Sequence, residues 1–307
     1  MKAAVPSALD GERVDRAVAI LTGLPRSEVA ALVAGGGVKI GGRPVSSRSR
    51  RVAEGDELEI TVPDDAGAVA PGPEADSSVD VAVVHSDDDL VVVDKPAGLV
   101  VHAGAGHRTG TLVHGLLALF PDLASIGVGE SARPGIVHRL DKGTSGLLVV
   151  ARNAGAYNDL VEQLRRRAVE RVYLALVWGA VEAPAGLIDA PVGRGVRDPT
   201  RMAVAVGGKE ARTRYRVESR FTEPVPVSLL ECRLETGRTH QVRVHLAAIG
   251  HPVVGDTRYR GARPHLVLPR PFLHATRLSF DHPTTGERLS FDSPLPDDLR
   301  ALLSELG

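Results

Sequence analysis

Residues 63–79 differ in composition from the sequence on either side of them and separate two parts of the chain. The segment reads Pro-Asp-Asp-Ala-Gly-Ala-Val-Ala-Pro-Gly-Pro-Glu-Ala-Asp-Ser-Ser-Val, with proline, glycine, alanine and acid but few bulky apolar residues. Because such a composition buries too little apolar surface to offset the entropy of ordering, it predicts a mobile linker. Two domains, 1–62 and 80–307, are therefore expected on either side of it.

Charge is distributed unevenly along the chain, although the formal net charge is only −1. Residues 63–90 carry eight Asp and Glu and no Lys or Arg, whereas residues 91–307 carry 28 basic residues against 22 acidic ones. The electrostatic footprint of a nucleic-acid-binding protein is local, so overall neutrality does not exclude a polyanionic partner.

The apolar segments exclude several classes of protein. No apolar run approaches the roughly 20 residues needed to cross a membrane, and the first ten residues lack the apolar core of a secretory signal. A cytoplasmic protein without a membrane-bound part is therefore expected. The single cysteine, Cys232, can form neither an intrachain disulfide nor a thiolate metal site.

The first sixty residues alternate between helical and strand patterns. Apolar residues at helical spacing predict two short helices, the second of which ends at three consecutive glycines, Gly35 to Gly37. Alternating residues in 38–40 and 58–62 then predict small strands around a Gly-Gly turn. This pattern indicates a compact α-plus-β domain. Its basic residues are more numerous than folding requires, although a solvated surface would explain them equally well.

This domain resembles the RNA-binding domain named after ribosomal protein S4. The resemblance is carried by Arg13-x-Asp15-Arg16, by Ser27 at the start of the second helix, by Gly37-Val-Lys-Ile-Gly-Gly42 and by Glu54-Gly-Asp56. It implies that RNA contacts come from Arg13, Arg16, Arg26 and Lys39. The chain departs from the family pattern at Gly42, where a residue with a side chain is common.

From residue 81 onward, short β patterns alternate with helical ones. Strands are predicted at 81–84, 90–93, 147–150, 172–177 and 229–234. One helix is predicted around residues 157–164, and another begins near Thr239 and ends at Gly250, with Val242, Leu246 and Ile249 facing the core. The pattern favours a sheet flanked by helices and long loops.

Asp141 lies in a polar, glycine-containing turn between two apolar runs, within Gly135-Ile-Val-His-Arg-Leu-Asp-Lys-Gly-Thr-Ser-Gly-Leu-Leu-Val-Val-Ala-Arg152. A lone aspartate in a turn is commonly a turn former whose side chain bonds its own backbone. A catalytic carboxylate would instead need a partner to orient it, such as a guanidinium. Arg243, on the predicted helix after Gly237, could supply it, although such an arginine is often a purely structural ion-pair member.

Metal and nucleotide cofactors are not expected. His240 and His245 are five residues apart rather than four, His-Glu-x-x-His is missing, and neither glycine-rich phosphate-binding motif occurs. What remains is a cofactor-free site built from aspartate, arginine and tyrosine.

Three segments together resemble the RluA/RluD family of RNA pseudouridine synthases. They are Asp94-Lys-Pro-Ala-Gly-Leu-Val-Val-His102, His138-Arg-Leu-Asp-Lys-Gly-Thr-Ser-Gly146 and Thr236-Gly-Arg-Thr-His-Gln-Val-Arg-Val-His245. Gly250-His-Pro-Val-Val-Gly-Asp256 and Leu273-His-Ala275 extend the match to the C-terminal part of the chain. The resemblance implies an α+β fold with a mixed, largely antiparallel central sheet and flanking helices.

Carried over by position, the resemblance assigns roles to six residues. Asp141 falls on the catalytic aspartate, Arg243 on the arginine paired with it, and Tyr173, in Glu170-Arg-Val-Tyr-Leu-Ala-Leu-Val-Trp-Gly179, on the tyrosine that packs against the base. Arg139 falls on the residue that occupies the space left by a flipped uridine. His138 and Thr144, in the same motif, are expected to contact substrate. A monomer that needs no metal or cofactor is implied.

The reaction implied is the isomerisation of uridine, in which the N1–C1′ bond breaks and uracil is rejoined through C5. A carboxylate can attack C1′, or it can stabilise positive charge on the sugar and assist proton removal at C2′. The uridine must first leave the RNA stack. Large-subunit (23S) ribosomal RNA is the expected substrate. The alternative substrate for the same reaction is transfer RNA. Two alternative functions are an RNA glycosylase, which would need a second carboxylate, and a non-catalytic RNA-binding protein of ribosome assembly.

Overall fold

The computed structural model describes residues 1–24, 26–62, 72–104, 109–126, 133–196 and 198–306. The chain forms two compact units, Met1–Gly72 and Pro73–Gly307. Of the segment predicted as a linker, residues 63–71 lie outside the described residues. Its last residues belong to the second unit, since Val79 packs against that unit's core and Asp76 N–H donates to the His114 carbonyl at 2.9 Å.

The first unit packs two helices on a small antiparallel sheet. The helices are α1 (Val14–Thr22) and α2 (Arg26–Ala34), and the strands, in sheet order, are β1 (Lys2–Ala4), β4 (Glu57–Ile60), β2 (Val38–Ile40) and β3 (Arg43–Pro44). Helix α1 ends at Gly23, which adopts φ +72°, a left-handed conformation that glycine adopts at little cost. The hydrophobic core of this unit includes Val14, Val18, Val38, Leu58 and Ile60.

The second unit is built on a nine-stranded sheet in which a single pair, β7 with β14, is parallel. The strand order is β5-β6-β7-β14-β8-β13-β12-β9, and β15 pairs with the C-terminal half of β14, from Arg277 to Asp281. The strands are β5 (Ala82–Ser86), β6 (Leu90–Lys95), β7 (Ser145–Ala151), β8 (Glu170–Trp178), β9 (Ala185–Asp189), β12 (Arg212–Phe221), β13 (Val227–Leu234), β14 (Leu273–Asp281) and β15 (Arg288–Asp292). A separate hairpin joins β10 (Val192–Arg194) to β11 (Met202–Val204).

Helices cover the sheet, and apolar side chains fill both of its faces. The helices of this unit are α3 (Leu112–Leu119), α4 (Ala154–Arg165), α5 (Gln241–Ala248) and α6 (Asp297–Ser304). Because successive side chains of a strand point to opposite faces, Val91 and Val93 of β6 join the larger core while Leu90 and Val92 join a smaller core with α4. No helix in the described part of the chain is long and apolar enough to span a membrane.

The predicted α+β class, with a mixed and largely antiparallel sheet, is confirmed. All five strands predicted from residue 81 onward are present, and the helices predicted at 157–164 and after Thr239 correspond to α4 and α5. The prediction that Ile249 faces the core is wrong, because helix α5 ends at Ala248 and Ile249 is 38% exposed. Strand β12 was not predicted, since its sequence, RTRYRVESRF, is mostly polar and its burial alternates weakly.

Candidate active site

Three hydrogen bonds fix the Asp141 turn and the residues that follow it. The Thr144 N–H donates to the Asp141 carbonyl at 3.0 Å, and the Gly98 N–H donates to the Lys142 carbonyl at 2.7 Å. Strand β7 begins immediately afterwards, and the Ser145 hydroxyl is 3.0 Å from Nδ1 of His274 on the parallel neighbour β14. The turn therefore rests on the start of a central strand, which makes Asp141 a fixed rather than a loosely placed carboxylate.

Arg243 joins Asp141 to a second carboxylate, Asp256. Its terminal nitrogen donates to Asp141 Oδ2 at 2.9 Å, while its Nε and other terminal nitrogen form a bidentate pair with Asp256 at 2.6 and 2.9 Å. Burial disfavours the charge of Arg243, but the bonds and charges of Asp256 and Asp141 outweigh it and raise the pKa of the guanidinium. This geometry leaves one oxygen of Asp141 unconstrained by Arg243 and free to face a substrate.

Asp256 is fully buried and serves as the anchor of this ion network. Its Oδ1 also accepts the backbone N–H groups of Arg258 at 2.9 Å and Tyr259 at 3.2 Å. The Tyr259 ring lies 5.1 Å from the Arg243 guanidinium, and its hydroxyl is 2.8 Å from Nδ1 of His240. His240 Nε2 in turn lies 4.0 Å from Asp141 Oδ1. Arg243 is thus fixed by Asp256 and Tyr259 as well as by Asp141.

Tyr173 lies on β8 and is 5% exposed. Burial raises the pKa of its phenol to about 12, with Arg171 opposing and Asp141 reinforcing the shift. The side chain is therefore a neutral aromatic wall near Asp141. Arg171, two residues earlier, is 7% exposed, and burial lowers the pKa of its guanidinium. Gly237 lies beside it, and a Cβ there would lie 2.7 Å from an Arg171 nitrogen, so a larger residue would displace this guanidinium.

Lys95 is a buried cation within the electrostatic range of Asp141. It is 1% exposed and donates to the carbonyls of Pro96 at 2.8 Å and Leu99 at 2.9 Å. Burial lowers the pKa of its amine to about 7, although the negative charge of Asp141 acts in the opposite direction. Its charge therefore changes in the neutral range, close to the candidate catalytic carboxylate.

His138 is held in its neutral form with a defined tautomer. Burial, reinforced by Arg171, lowers the pKa of its imidazole to about 3. Its Nε2 accepts the Val149 N–H at 3.1 Å, so the proton lies on Nδ1. That Nδ1 and the hydroxyl of Thr144 are buried and have no hydrogen-bond partner among the described residues. Neither atom is exposed, so a substrate would reach either one only after neighbouring atoms move.

One cavity of about 600 Å³ brings the predicted site residues together. Its lining includes all six of them: Asp141, Tyr173, Arg243, Arg139, His138 and Thr144. Arg139 is exposed at this cavity, as a residue that reaches towards RNA would be. Two further carboxylates, Glu210 and Glu235, also line it, but both are paired with arginines, at 2.6 Å from Arg167 and from Arg214 respectively.

Sequence reasoning missed several members of this site. Asp256, Tyr259, Lys95 and Arg171 were not predicted, although Asp256 closes a recognised motif and Lys95 stands within another. The sequence signal for Asp256 was its position at the end of Gly250-His-Pro-Val-Val-Gly-Asp256, directly after an apolar segment that is expected to be buried. An aspartate buried with that segment needs a partner for its charge, such as an arginine.

Of the four basic residues predicted to bind RNA in the first unit, Arg13 and Arg16 are exposed. Arg13 pairs with Asp15 at 2.7 Å and Arg16 with Glu12 at 2.7 Å, so each is partly neutralised. Lys39 lies on β2 and is half-buried. Arg26 begins helix α2, and its side chain lies outside the described part of the chain.

Among the described residues, one group of side chains has the spacing of metal ligands. Asp87, Asp89 and His282 offer ligand atoms within 4.8 Å of one another. His282 Nδ1, however, accepts the backbone N–H groups of Thr284 and Thr285, each at 3.2 Å, which places its proton on the nitrogen facing Asp87. These three side chains are therefore explained as a hydrogen-bonded group that connects the β5–β6 hairpin to the β14–β15 hairpin.

The chain matches the family model described as RNA pseudouridylate synthase over residues 89–248, and the S4 domain over residues 12–58. The first match covers more than half of the chain and includes Asp141, Tyr173 and Arg243. The chain belongs to the RNA pseudouridylate synthase family. Its fold class, its enzymatic class as an isomerase and its RNA substrate follow from this membership.

Relatives of this family member extend over nearly its whole length. It is 43% identical to an uncharacterised RNA pseudouridine synthase of Bacillus subtilis, over 96% of this chain and 94% of the relative. It is 41% identical to the ribosomal large subunit pseudouridine synthase D of Pseudomonas aeruginosa, over 99% and 95%. Human RNA pseudouridylate synthase domain containing 1 superposes with a TM-score of 0.56 at 30% identity, covering 73% of this chain and 86% of the human one.

Proposed function

We propose that this RNA pseudouridylate synthase isomerises uridines of the large-subunit ribosomal RNA, with Asp141 as the catalytic carboxylate. The observation that carries the catalytic assignment is the Asp141–Arg243–Asp256 network at the wall of a cavity large enough for a nucleotide. The ribosomal substrate is supported by relatives, such as that of Pseudomonas aeruginosa, named ribosomal large subunit pseudouridine synthase D.

The network gives Asp141 two properties that the reaction needs. Arg243 orients one carboxylate oxygen at 2.9 Å, and Asp256 prevents Arg243 from turning away. The second oxygen can then attack C1′, or it can stabilise positive charge on the ribose while a proton leaves C2′. Both routes isomerise the nucleoside without a redox step, so the chain's own residues suffice.

Tyr173 and Arg139 serve the base before and during the reaction. The buried, neutral Tyr173 supplies a flat apolar wall against which uracil packs. The exposed Arg139, two residues before Asp141, fills the space in the RNA stack that the flipped uridine leaves. His138 and Thr144 are assigned to substrate binding in this proposal because both line the same cavity, and each has a polar atom without a hydrogen-bond partner among the described residues.

The N-terminal unit contributes RNA affinity through Arg13, Arg16, Arg26 and Lys39. The match to the S4 domain supports RNA binding by this unit. Phosphate contacts of this kind fix the position of an RNA without reading its sequence. The protein works as a cytoplasmic monomer in this proposal, and the chain before Pro73, where the second unit begins, joins the two domains.

Replacing Asp141 by asparagine tests the catalytic assignment. The Asp141→Asn variant keeps the shape of the side chain but removes its nucleophilic, charge-stabilising oxygen. We expect kcat to fall by at least about 1000-fold, as when other enzymes lose a nucleophile, while the Kd for RNA changes less than about twofold. Tritium release from 5-³H-uridine in a large-subunit RNA transcript measures the first, and filter binding the second.

Asp292→Asn is the matched control, because Asp292 is exposed and pairs with Arg277 on β14, outside the cavity lining. It should retain wild-type kcat. Asp141→Asn with undiminished activity would refute the catalytic role of this carboxylate.

Pseudouridine mapping of cellular RNA tests the substrate. Cells without the protein should lose pseudouridine at specific positions of the large-subunit RNA and regain it on complementation with the wild type but not with Asp141→Asn. Loss confined to transfer RNA would replace the ribosomal substrate with a transfer-RNA one. An unchanged map, together with retained RNA binding, would favour a non-catalytic assembly role.

A further inference from the structure

A second pocket, of about 400 Å³, opens on another face of helix α5. Val244, Ala247 and Ala248, spaced as one helical face, line it, whereas Val242 and Arg243 of the same helix line the catalytic cavity. Strand β11 and the loop after Asp256 form the other walls. The two cavities are thus separated by a single helix, whose diameter is about 10 Å.

Four arginines line this second pocket: Arg201, Arg258, Arg260 and Arg263. No aspartate or glutamate is among the described residues that line it. Arg201 pairs with Asp198 at 3.2 Å, but that pair is about half exposed on both sides and is therefore weak. The Asp198 carboxylate also attracts Arg258, so one carboxylate next to the pocket faces four arginines, and the pocket keeps a net positive charge.

Two of the four arginines, Arg258 and Arg263, are held in place before any ligand arrives. Arg258 donates to the Thr200 carbonyl, and its Nε is buried without a hydrogen-bond partner among the described residues. The Arg263 guanidinium stacks 4.8 Å above the Trp178 ring. Preordered guanidinium groups of this kind are suited to bind phosphate.

The pocket is also larger and less polar than a phosphate alone requires. Its floor consists of Met202, Val204, Val244 and Ala247, with Tyr259 at one side. Single-stranded RNA is commonly bound by stacking its bases on aromatic, apolar or guanidinium surfaces while cations hold the backbone. Both kinds of surface are present here within one nucleotide-sized space.

We propose that this pocket binds a nucleotide of the RNA substrate other than the target uridine. The arginines hold the phosphate, and the base lies against the apolar floor. The proposal rests on the RNA substrate but not on the role of Asp141. Since Tyr259 lines the pocket and also contacts Arg243 and His240, the bound strand lies directly behind the network that orients Asp141.

The double variant Arg260→Gln/Arg263→Gln of the full-length protein tests the phosphate contacts. Both side chains are exposed, so the fold should tolerate the change. The probe is a fluorescent oligoadenylate RNA of about 15 nucleotides, which contains no uridine and cannot occupy the catalytic cavity as substrate. Fluorescence anisotropy between about 50 and 200 mM salt should show roughly fivefold weaker binding and a salt slope reduced by about 0.7 for each lost phosphate contact.

Arg277→Gln/Arg300→Gln is the matched control, because these arginines are equally exposed and line neither cavity. It removes the same charge and should leave the salt slope near that of the wild type. Equal losses in the two double variants would mean that only net charge matters and would overturn the proposal.

Filling the pocket without changing charge tests the base contact. Ala248→Phe places a ring over the floor from an exposed position and should weaken oligoadenylate binding several-fold with the salt slope unchanged. Ala301→Phe, on an exposed position of α6, is the control and should bind as the wild type does. If Ala248→Phe binds RNA normally, the pocket does not take a base.

Equilibrium dialysis with AMP distinguishes RNA from a free nucleotide. Weak AMP binding that oligoadenylate displaces, and that the double variant loses, supports the proposal. Tight AMP binding, lost in the double variant without any loss of RNA affinity, would overturn it in favour of a free-nucleotide site. Because oligoadenylate is not isomerised, these results stand apart from the Asp141→Asn experiment, and failure of one is distinguishable from failure of the other.

Discussion

Single residues of the active site have environments that sequence position alone would not indicate. Lys95 and His138 both carry ionisable groups whose pKa is lowered by burial, to about 7 and about 3 respectively. Burial raises the pKa of the Tyr173 phenol, to about 12. Each shift favours the neutral form, so above neutral pH these three side chains add no charge near the network of Arg243 with Asp141 and Asp256. Such surroundings strengthen the remaining charges because they screen them less than water does.

The pH dependence of stability reports the burial of Lys95. Its amine has a pKa of about 7 in the folded state and 10.5 as the ordinary value, so between these limits the unfolded state binds more protons. Stability therefore rises with pH through this window, by up to about 1.4 kcal/mol per pH unit from this one group. Urea unfolding from pH 7.5 upward should show a smaller slope for Lys95→Met than for the wild type. Equal slopes would contradict the burial of a titrating amine.

At the scale of elements, the parallel pair β7–β14 determines where the Asp141 turn lies. Gly146, at the start of β7, has φ +112°, and a Cβ there would lie 2.3 Å from the Ala275 carbonyl of β14. Real Cβ atoms do not approach backbone oxygen so closely, so only glycine lets the two strands pair at this point. The Thr-Ser-Gly sequence after Asp141 is thus a strand junction as well as a turn.

Gly146→Ala should destabilise the second unit by about 3 kcal/mol or more, because both the positive φ and the backbone overlap must be relieved. Gly286→Ala separates the two causes, since Gly286 has φ +71° but open space around its Cα. That control should cost only about 1 kcal/mol. Thermal unfolding of both variants measures the difference, and equal costs would show that the β14 carbonyl does not impose the glycine.

At the scale of the whole molecule, the two units have separate cores and separate tasks. Val14, Val18 and Leu58 belong to the first core, while the sheet of the second unit carries the catalytic cavity. A core of its own is what allows a domain to fold independently. The candidate catalytic residues, the second pocket and the family match at 89–248 all lie within the second unit.

A truncated protein, residues 73–307, should therefore fold cooperatively and retain kcat at saturating RNA. Its KM for RNA should rise and the salt slope of binding should fall, because phosphate contacts of the S4 domain are removed. Circular dichroism melting and steady-state kinetics against the full-length protein check this expectation. A truncated protein that is folded but has lost kcat would show that the first unit takes part in the chemical step.

Sequence alone determined the local elements and the family. The strands at 147–150 and 172–177 were predictable because continuous apolar runs are typical of buried strands, and the turn at Asp141 because its polar residues interrupt such a run. Only the tertiary structure decided which carboxylate anchors Arg243 and which arginines share a pocket. Asp141 and Arg243 are 102 residues apart, and Asp256 is buried behind them. Local propensity acts between near neighbours, whereas an ion network and a cavity depend on how distant elements pack.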